Sequence, residues 1–318
     1  DMLVSLALGL SLTSMNYVDM ATEALADALD SADETHDYMM AIELYEQVGA
    51  ILRCRGRYAE AADFYEDGLF TLHALGGAAL LNDPVSPHLE LGLAASLMSI
   101  GRYDDALLHL VIAREVARKM DDAFLLARID VATAIIHSAQ GDARAALPLI
   151  LAARDVYAHA TSPAQRAMRV RVQAQAAGIL LDVAKVITRR ERDIRGFTYV
   201  ELAGQFAQQA LNDAVDSGDM GGFYMATLAR ARHERISGRQ TSTLHLLAPL
   251  LKDAELTHDP TLAVQVHTAI AQEFAARKDP THAREAYQRA FQGASECGAI
   301  FLGEYAKREL LRGSLALN

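Results

Sequence analysis

The chain of 318 residues has little of what stabilises a small secreted domain or interrupts a helix. It has no tryptophan, seven prolines and two cysteines, and 6% of its residues are aromatic. Cys54 and Cys297 lie far apart in the sequence, so they predict no disulfide framework and are typical of a reducing compartment. We therefore expect a cytoplasmic protein. Since alanine and leucine dominate and proline is scarce, we also expect an all-helical chain.

Positive charge is also in short supply. The chain has 30 basic and 41 acidic residues, a formal net charge of −11. Sequence-independent binding of nucleic acid requires Lys and Arg to displace counterions, so this net negative charge argues against a nucleic-acid partner. No apolar run reaches the 18 or so residues that a membrane span requires. Because the chain begins at Asp1 rather than Met, we expect it to be part of a longer polypeptide.

The residue patterns of common catalytic and metal sites are incomplete in this sequence. The run from Gly218 to Gly222 is rich in glycine but lacks the Lys-Ser/Thr pair of a phosphate loop. His233 and Glu234 resemble the start of a zinc helix, but position 237 is Ser and no second His follows. No Ser/His/Asp or Cys/His set is suggested by spacing. We predict a protein that is not an enzyme and has no catalytic residues, no metal site and no cofactor.

The sequence does have a long internal repeat. A small side chain recurs at intervals of 40, 45, 40, 57, 40 and 40 residues, at Ala21, Ala61, Ala106, Ala146, Ala203, Thr243 and Ala283. Such a period is typical of a solenoid, in which each repeat buries its apolar face against its neighbours.

The second repeat has the clearest pattern. Small Gly49 and Ala61 stand on two helices that are joined by a turn at Gly56, and Tyr65 follows on the second helix. The small residues allow the helices to approach closely, and glycine at a helix C-terminus adopts a left-handed conformation. An aromatic, a glycine, a Gly-x-Tyr turn, an alanine and a second aromatic at these spacings resemble the tetratricopeptide repeat (TPR).

The TPR resemblance covers essentially the whole chain. It implies an all-α, right-handed superhelical solenoid of about seven helical hairpins with a C-terminal capping helix. We predict a single domain over residues 1–318, with repeats at 1–36, 37–82, 86–121, 122–160, 163–216, 219–256 and 259–298 and a cap at 299–313. Helix starts agree with these boundaries, since a capping side chain precedes proline at Ser86, Ser162, Asp259 and Asp279.

The period lapses in two places. A longer loop at 82–86 separates the second and third repeats, and the fifth repeat is longer by 17 residues than the 40-residue period. We expect this insertion to be centred on 188–196, where Arg189, Arg190, Arg192 and Arg195 are binding candidates. The alternative is an extended hairpin with a solvated charged tip.

In TPR proteins the first helix of each hairpin lines the concave groove. The residues one face away from the packing positions therefore project into the groove, and our groove-binding candidates among them are Glu43, Glu46, Arg53, Leu91, Met98, Val131, Ile135, Gln175, Arg232, Arg235 and Gln272. Further positions with this direction are Ala50, Ala95, Ile179, Asp182, Leu228 and Thr268. Leu91, Met98, Val131 and Ile135 would give this groove an apolar middle if they are exposed. The alternative is that superhelical curvature or a neighbouring helix buries them.

The first helix is apolar almost all round, with Leu3, Leu6 and Leu10 among its residues. Such a helix requires burial on both sides, by another domain or by self-association. Repeats of 40 residues resemble the sensor solenoids of bacterial signal-transduction ATPases with numerous domains (STAND) and maltose-regulator-like transcription regulators. This resemblance implies a module that binds a protein, a peptide or a small effector in its groove. The alternative is a structural scaffold that forms homo-oligomers through the N-terminal helix.

Overall fold

We describe the protein from a computed structural model, which covers Ser5, Gly9 and residues 18–76, 85–186, 193–194, 197–257 and 259–315. These residues form an all-α fold, as the sequence predicts. The helices are α1 (Val18–Glu34), α2 (Tyr38–Cys54), α3 (Tyr58–Gly76), α4 (Ser86–Ser99), α5 (Tyr103–Lys119), α6 (Ala123–Ala139), α7 (Ala143–Tyr157), α8 (Pro163–Val186), α9 (Tyr199–Ser217), α10 (Met220–Ile236), α11 (Gln240–Thr257), α12 (Pro260–Ala276), α13 (Pro280–Glu296) and α14 (Ile300–Leu315).

Consecutive helices pack as hairpins, and the chain divides into two compact units. Unit 1 comprises Asp1–Asp122 with Cys297–Phe301, and unit 2 comprises Ala123–Glu296 with Leu302–Asn318. A two-residue antiparallel ladder, β1 (Asp193–Ile194) with β2 (Phe197–Thr198), precedes α9 in unit 2. The prediction of one domain over 1–318 stays a prediction. Among the described helices, none is both long enough and apolar enough to span a membrane.

The recurring small residue lies in the core of each described hairpin. The seven side chains are at most 5% exposed: Ala21, Ala61, Ala106, Ala146, Ala203, Thr243 and Ala283. In unit 1 the ring of Tyr65 lies against two glycines, since a Cβ placed on Gly49 or Gly92 would come within 2.8 or 2.3 Å of its Cζ. The glycines therefore make room for a ring that is only 1% exposed. This packing confirms the close helix approach expected from the sequence.

Left-handed residues end the helices at the turns of the hairpins. Gly56, Gly101, Gly141 and Gly238 have φ between 76° and 89°, as the turn pattern predicts. Lys278 has φ 60° at the corresponding turn between α12 and α13, although it carries a side chain. A left-handed conformation costs a residue with a Cβ about 1 kcal/mol more than it costs glycine.

Three of the four predicted capping side chains act as caps. Asp259 accepts a hydrogen bond from Leu262 N at 2.9 Å, Ser162 accepts one from Gln165 N, and Asp279 accepts one from His282 N. The prediction for Ser86 is wrong. Helix α4 begins at Ser86 itself, and Val85 is the N-cap, with no side-chain hydrogen bond.

We expect Lys278→Gly to raise the free energy of unfolding by about 1 kcal/mol, because glycine relieves the left-handed strain. Gly141→Ala should lower it by a similar amount. No atom lies within 4 Å of a Cβ placed on Gly141, so this second effect comes from the backbone alone. Urea unfolding followed by circular dichroism measures both changes. A loss of stability in Lys278→Gly would contradict the prediction.

Thr243 replaces alanine in the repeat, and its hydroxyl has no hydrogen-bond partner among the described residues. We expect Thr243→Val to raise the free energy of unfolding by about 1 kcal/mol, because an unpaired buried hydroxyl is replaced by a methyl group of similar size. Thr227→Val is the matched control. That hydroxyl is also buried but donates to Phe223 O at 2.8 Å, so its replacement should give no gain. Equal effects in the two variants would show that the unpaired hydroxyl is not the cause.

Candidate functional site

In unit 2 the first helices of successive hairpins pack against one another as well as against their hairpin partners. Helix α8 contacts α6 and α10, and α10 contacts α12. We call the layer formed by α6, α8, α10 and α12 the inner layer of unit 2. The second helices of the hairpins, α7, α9, α11 and α13, pack on these helices. The inner layer is therefore the face on which side chains from four repeats come within reach of one another.

The lapse of the period lengthens one helix of this layer. Helix α8 has 24 residues, whereas α6, α10 and α12 have 17 each. A helix of 17 residues that begins at Pro163 would end near position 179. The two additional turns carry Asp182 and Lys185, which lie three residues apart and hence on the same side of the helix. The fifth repeat is thus extended within its first helix, ahead of the segment 188–196.

Asp182 connects three inner helices. Its Oδ1 accepts hydrogen bonds from Arg232 Nη2 on α10 and from Lys185 Nζ, the latter at 3.3 Å. Its Oδ2 accepts a hydrogen bond from Ser138 Oγ on α6 at 3.5 Å. The Arg232 and Asp182 side chains retain 26% and 31% of their exposure, so the ion pair is accessible to solvent and to a ligand.

Arg235 lies one turn after Arg232 and extends the row to α12. Its Nη2 donates to Gln272 Oε1 at 2.7 Å. Burial, and then the neighbouring Arg232, lower the pKa of the Arg235 guanidinium. Partial burial and the same Arg232 lower the pKa of the Lys185 ammonium. We call Lys185, Arg232 and Arg235 the cation cluster, in which Arg232 disfavours the charge of the other two.

Two tyrosines act on Arg235 electrostatically. The hydroxyls of Tyr305 and Tyr287 raise the pKa of Arg235, against the larger effect of burial, and the two ring centroids lie 6.1 Å apart. Burial, and then Tyr305, raise the pKa of Tyr287, so this hydroxyl stays protonated at neutral pH. Tyr305 keeps 38% of its surface exposed.

The other predicted groove residues are distributed over both units. Gln175 is half-buried on α8, and Ile135 is half-buried on α6. In unit 1, Glu43 is exposed and Glu46, Arg53 and Met98 are half-buried. Leu91 and Val131 are buried, with 7% and 8% exposed. The helix of Leu91, α4, contacts α2, and that of Val131, α6, contacts α8. For these two residues the structure agrees with the alternative that they are buried, and not with an exposed apolar middle of the groove.

Two groups of candidates lie outside the described residues. They are the insertion residues Arg189, Arg190, Arg192 and Arg195, and the N-terminal residues Leu3, Leu6 and Leu10. Both predictions, including self-association through the first helix, stay predictions.

The histidine and glycine motifs of the sequence have structural roles. The ring of His233 packs on Gly204, where a Cβ would lie 2.5 Å from its Nε2, and burial lowers the pKa of His233. Glu234 is buried and binds Arg230 and Arg239. Gly218 ends α9 in a left-handed conformation, and the adjoining Asp219 caps α10. Within the described part of the chain, no cluster of three or more His, Cys, Asp or Glu could hold a metal ion.

Comparison with solved structures agrees with the helical-hairpin architecture. A Rap protein in complex with competence and sporulation factor superimposes with a TM-score of 0.73 at 15% identity, over 92% of this chain and 74% of that one. The Rap conjugation regulator of plasmid pLS20, in complex with the Phr* peptide, gives 0.67 at 14% identity over 93% and 74%. A STAND protein with a TPR sensor from Pyrococcus horikoshii gives 0.50 at 12% identity over 95% and 44%.

The chain is a TPR-like helical solenoid. The sequence analysis and the structural similarity agree on this point, and at such low identity the similarity concerns the fold alone. No protein-family model matches the sequence, and no curated protein does. Residue roles on the inner layer of this TPR-like chain therefore rest on its own side chains.

We expect Asp182→Asn to lower the free energy of unfolding by about 1 kcal/mol, because Arg232 and Lys185 lose the carboxylate between them. Asp213→Asn is the matched control. It breaks a single pair with Arg169 at 2.9 Å, whose side chains are 25% and 27% exposed. The Asp213→Asn variant should lose less free energy of unfolding than Asp182→Asn, since Asp213 binds one cation and Asp182 binds two. Urea unfolding at low and high NaCl measures both losses, and salt should narrow the difference between them. An equal or larger loss in Asp213→Asn would contradict this account of Asp182.

Proposed function

We propose that this chain is a non-enzymatic binding module that takes an extended peptide, or a peptide-like segment of a protein, on the inner layer of unit 2. The observation that carries the proposal is the row of partly exposed polar side chains from four consecutive repeats, from Ser138 through Asp182 and Arg232 to Gln272. Such a row follows the direction of the repeats, and an extended chain fits it better than a compact substrate does.

The chemistry of this row supports binding over catalysis. Asp182 is shared between two cations, and the cations are not arranged around a nucleophile or a general base. The side chains offer amide, guanidinium and carboxylate groups, which match the hydrogen-bonding groups of a peptide backbone. Two solved neighbours are Rap proteins in complexes, one with competence and sporulation factor and one with the Phr* peptide, and this favours a peptide as the ligand.

We further propose that the module is the sensor region of a multidomain signalling protein in the bacterial cytoplasm. The length of the repeats and the similarity to the TPR sensor of a STAND protein support this role. The ligand is then an input signal, and its binding changes the activity of other domains. A single protein or peptide partner, or a small effector with the same groups, would serve as this signal.

The proposal is tested with a synthetic library of random hexapeptides. The purified chain is incubated with the library, and the peptides that co-elute with it in gel filtration are identified by mass spectrometry. We expect a distinct subset to be retained. Arg232→Glu with Arg235→Glu should reduce its retention at least tenfold, because charge reversal repels ligand groups that the wild-type cations attract.

The matched control is Arg284→Glu with Arg289→Glu on α13, which makes the same change of charge at two exposed positions of unit 2. This variant should retain the peptides of the wild type. Retention that is unchanged in the inner-layer variant would contradict the proposed site. Failure of the wild type to retain any peptide would contradict the proposed function.

A further inference from the structure

Helix α5 in unit 1 carries three exposed aliphatic side chains on one side. Leu108, Val111 and Ile112 keep 65%, 60% and 47% of their surface exposed. Val111 and Ile112 follow Leu108 by three and four residues, so the three lie together on the helix surface. The helix packs on α4 with a different set of side chains, namely Ala106, Leu110, Ala113, Val116 and Ala117. We call Leu108, Val111 and Ile112 the outer patch of α5.

The repeats themselves show that the fold does not require aliphatic residues at these three positions. Counted from the recurring small residue, the corresponding positions of α9 are glutamines at 205, 208 and 209. In α3 and α13 they are charged or carry an amide, and all are exposed: Asp63, Glu66, Asp67, Glu285, Gln288 and Arg289. The outer patch is therefore a particular feature of the third repeat. Exposed clusters of large apolar side chains usually mark an interaction surface.

Charges of opposite sign flank the outer patch at the two ends of α5. The first turn of this helix is acidic and its last turn is basic. Steps of four and three residues place five exposed side chains in one row along the helix: Asp104, Leu108, Val111, Glu115 and Arg118. Within this row Arg118 Nη1 donates to Glu115 Oε1 at 2.7 Å. The row thus begins with an acid, continues through the patch and ends with a base.

A surface of this kind is complementary to itself. When two copies of α5 lie antiparallel about a two-fold axis near Val111, the acidic first turn of each copy lies beside the basic last turn of the other. The two outer patches then meet at the axis. A parallel arrangement would instead place like charges side by side. Since a two-fold interface uses the same surface on both subunits, a second copy of this chain fits the row in both charge and apolar character.

We propose that the outer patch of α5 is the contact surface between two copies of this chain, which associate with their α5 helices antiparallel. The inference goes beyond the proposed peptide binding and is independent of it, because α5 lies in unit 1 and the peptide site in unit 2. A helix of 17 residues is about 26 Å long. A contact of that length falls at the small end of specific interfaces, so we expect a dimer that dissociates at micromolar concentrations.

Sedimentation velocity of the purified chain, at concentrations from about 1 to 200 μM, measures the association. We expect the wild type to pass from monomer to dimer over this range. Val111→Arg should raise the dissociation constant about tenfold or more, because the two-fold axis brings both new charges together in an apolar contact. Leu108→Gln with Val111→Gln should weaken the dimer as well. This second variant keeps the helix folded, since α9 has glutamine at the corresponding positions.

The matched control is Gln288→Arg on α13. It introduces the same side chain and the same change of charge at the exposed position that corresponds to Val111 in the seventh repeat. The dissociation constant of this variant should equal that of the wild type. Circular dichroism of every variant should show unchanged helix content, which separates a weaker dimer from a damaged fold.

Charge reversal tests the antiparallel arrangement. Asp104→Arg and Arg118→Asp should each weaken the dimer about threefold or more, because each places like charges side by side across the axis. The double variant again has opposite charges at the two ends, so its dissociation constant should return to within about threefold of the wild-type value. A dimer that Val111→Arg weakens but that the double reversal does not restore would contradict the antiparallel contact.

Two further results would overturn the inference. A chain that stays monomeric over the whole range would show that the outer patch does not bind a second copy. A dimer that is unchanged in Val111→Arg would show that association uses another surface. Neither result affects the retention of peptides by unit 2, so the proposed function stands or fails separately.

Discussion

The fold depends on how closely two helices approach where they cross. Each hairpin places a side chain no larger than threonine at that point, and this allows a bulky residue from the same or the next repeat to fill the space around it. The ring of Tyr65 lies between the backbones at Gly49 and Gly92, and that of His233 lies on Gly204. In both places the contact is the same: a flat ring packs on a helix backbone where glycine has no Cβ. The ring of Tyr65 thereby joins the second repeat to the third, and that of His233 joins the sixth to the fifth.

Features that arise within one hairpin could be predicted from the sequence. The small residues, the glycine turns and three of the four capping side chains depend on neighbours a few positions away, and they lie where the pattern places them. Features that depend on a third helix could not be predicted. Leu91 on α4 and Val131 on α6 are buried, and each of these helices packs on another first helix of its own unit, α4 on α2 and α6 on α8. Helix periodicity predicts the direction in which a side chain points, but it does not predict which other helix packs against that side chain.

For the site as well, the positions of single residues could be predicted, whereas the contacts between residues far apart in the sequence could not. Arg232, Arg235, Gln272 and Asp182 could be selected because each lies on the groove side of its helix. The bonds between them could not be, since 50 residues separate Asp182 from Arg232 and 37 separate Arg235 from Gln272. Ser138, which lies 44 residues from Asp182, could not be predicted for the same reason. The interval of 57 residues between Ala146 and Ala203, instead of 40, was the available signal in the sequence for additional length in this repeat. It indicated an insertion near 188–196, and the structure places part of the additional length in α8, where it brings Asp182 to α10.

The lengthening of α8 and the unfavourable burial of the Arg235 charge both indicate that this part of the inner layer has a role other than stability. A repeat of standard length would end α8 before Asp182, and Arg232 would then lack the carboxylate that it binds. The additional turns bring one carboxylate but also Lys185, so the local charge remains positive. Arg235 is partly buried, and its hydrogen bond goes to the neutral amide of Gln272 rather than to a carboxylate. A buried cation without an ionic partner is unfavourable, so stability alone does not account for this residue. Function is expected at sites where side chains are arranged unfavourably for stability while those of the surrounding repeats are arranged favourably. In this chain the cation cluster on the inner layer of unit 2 meets that criterion.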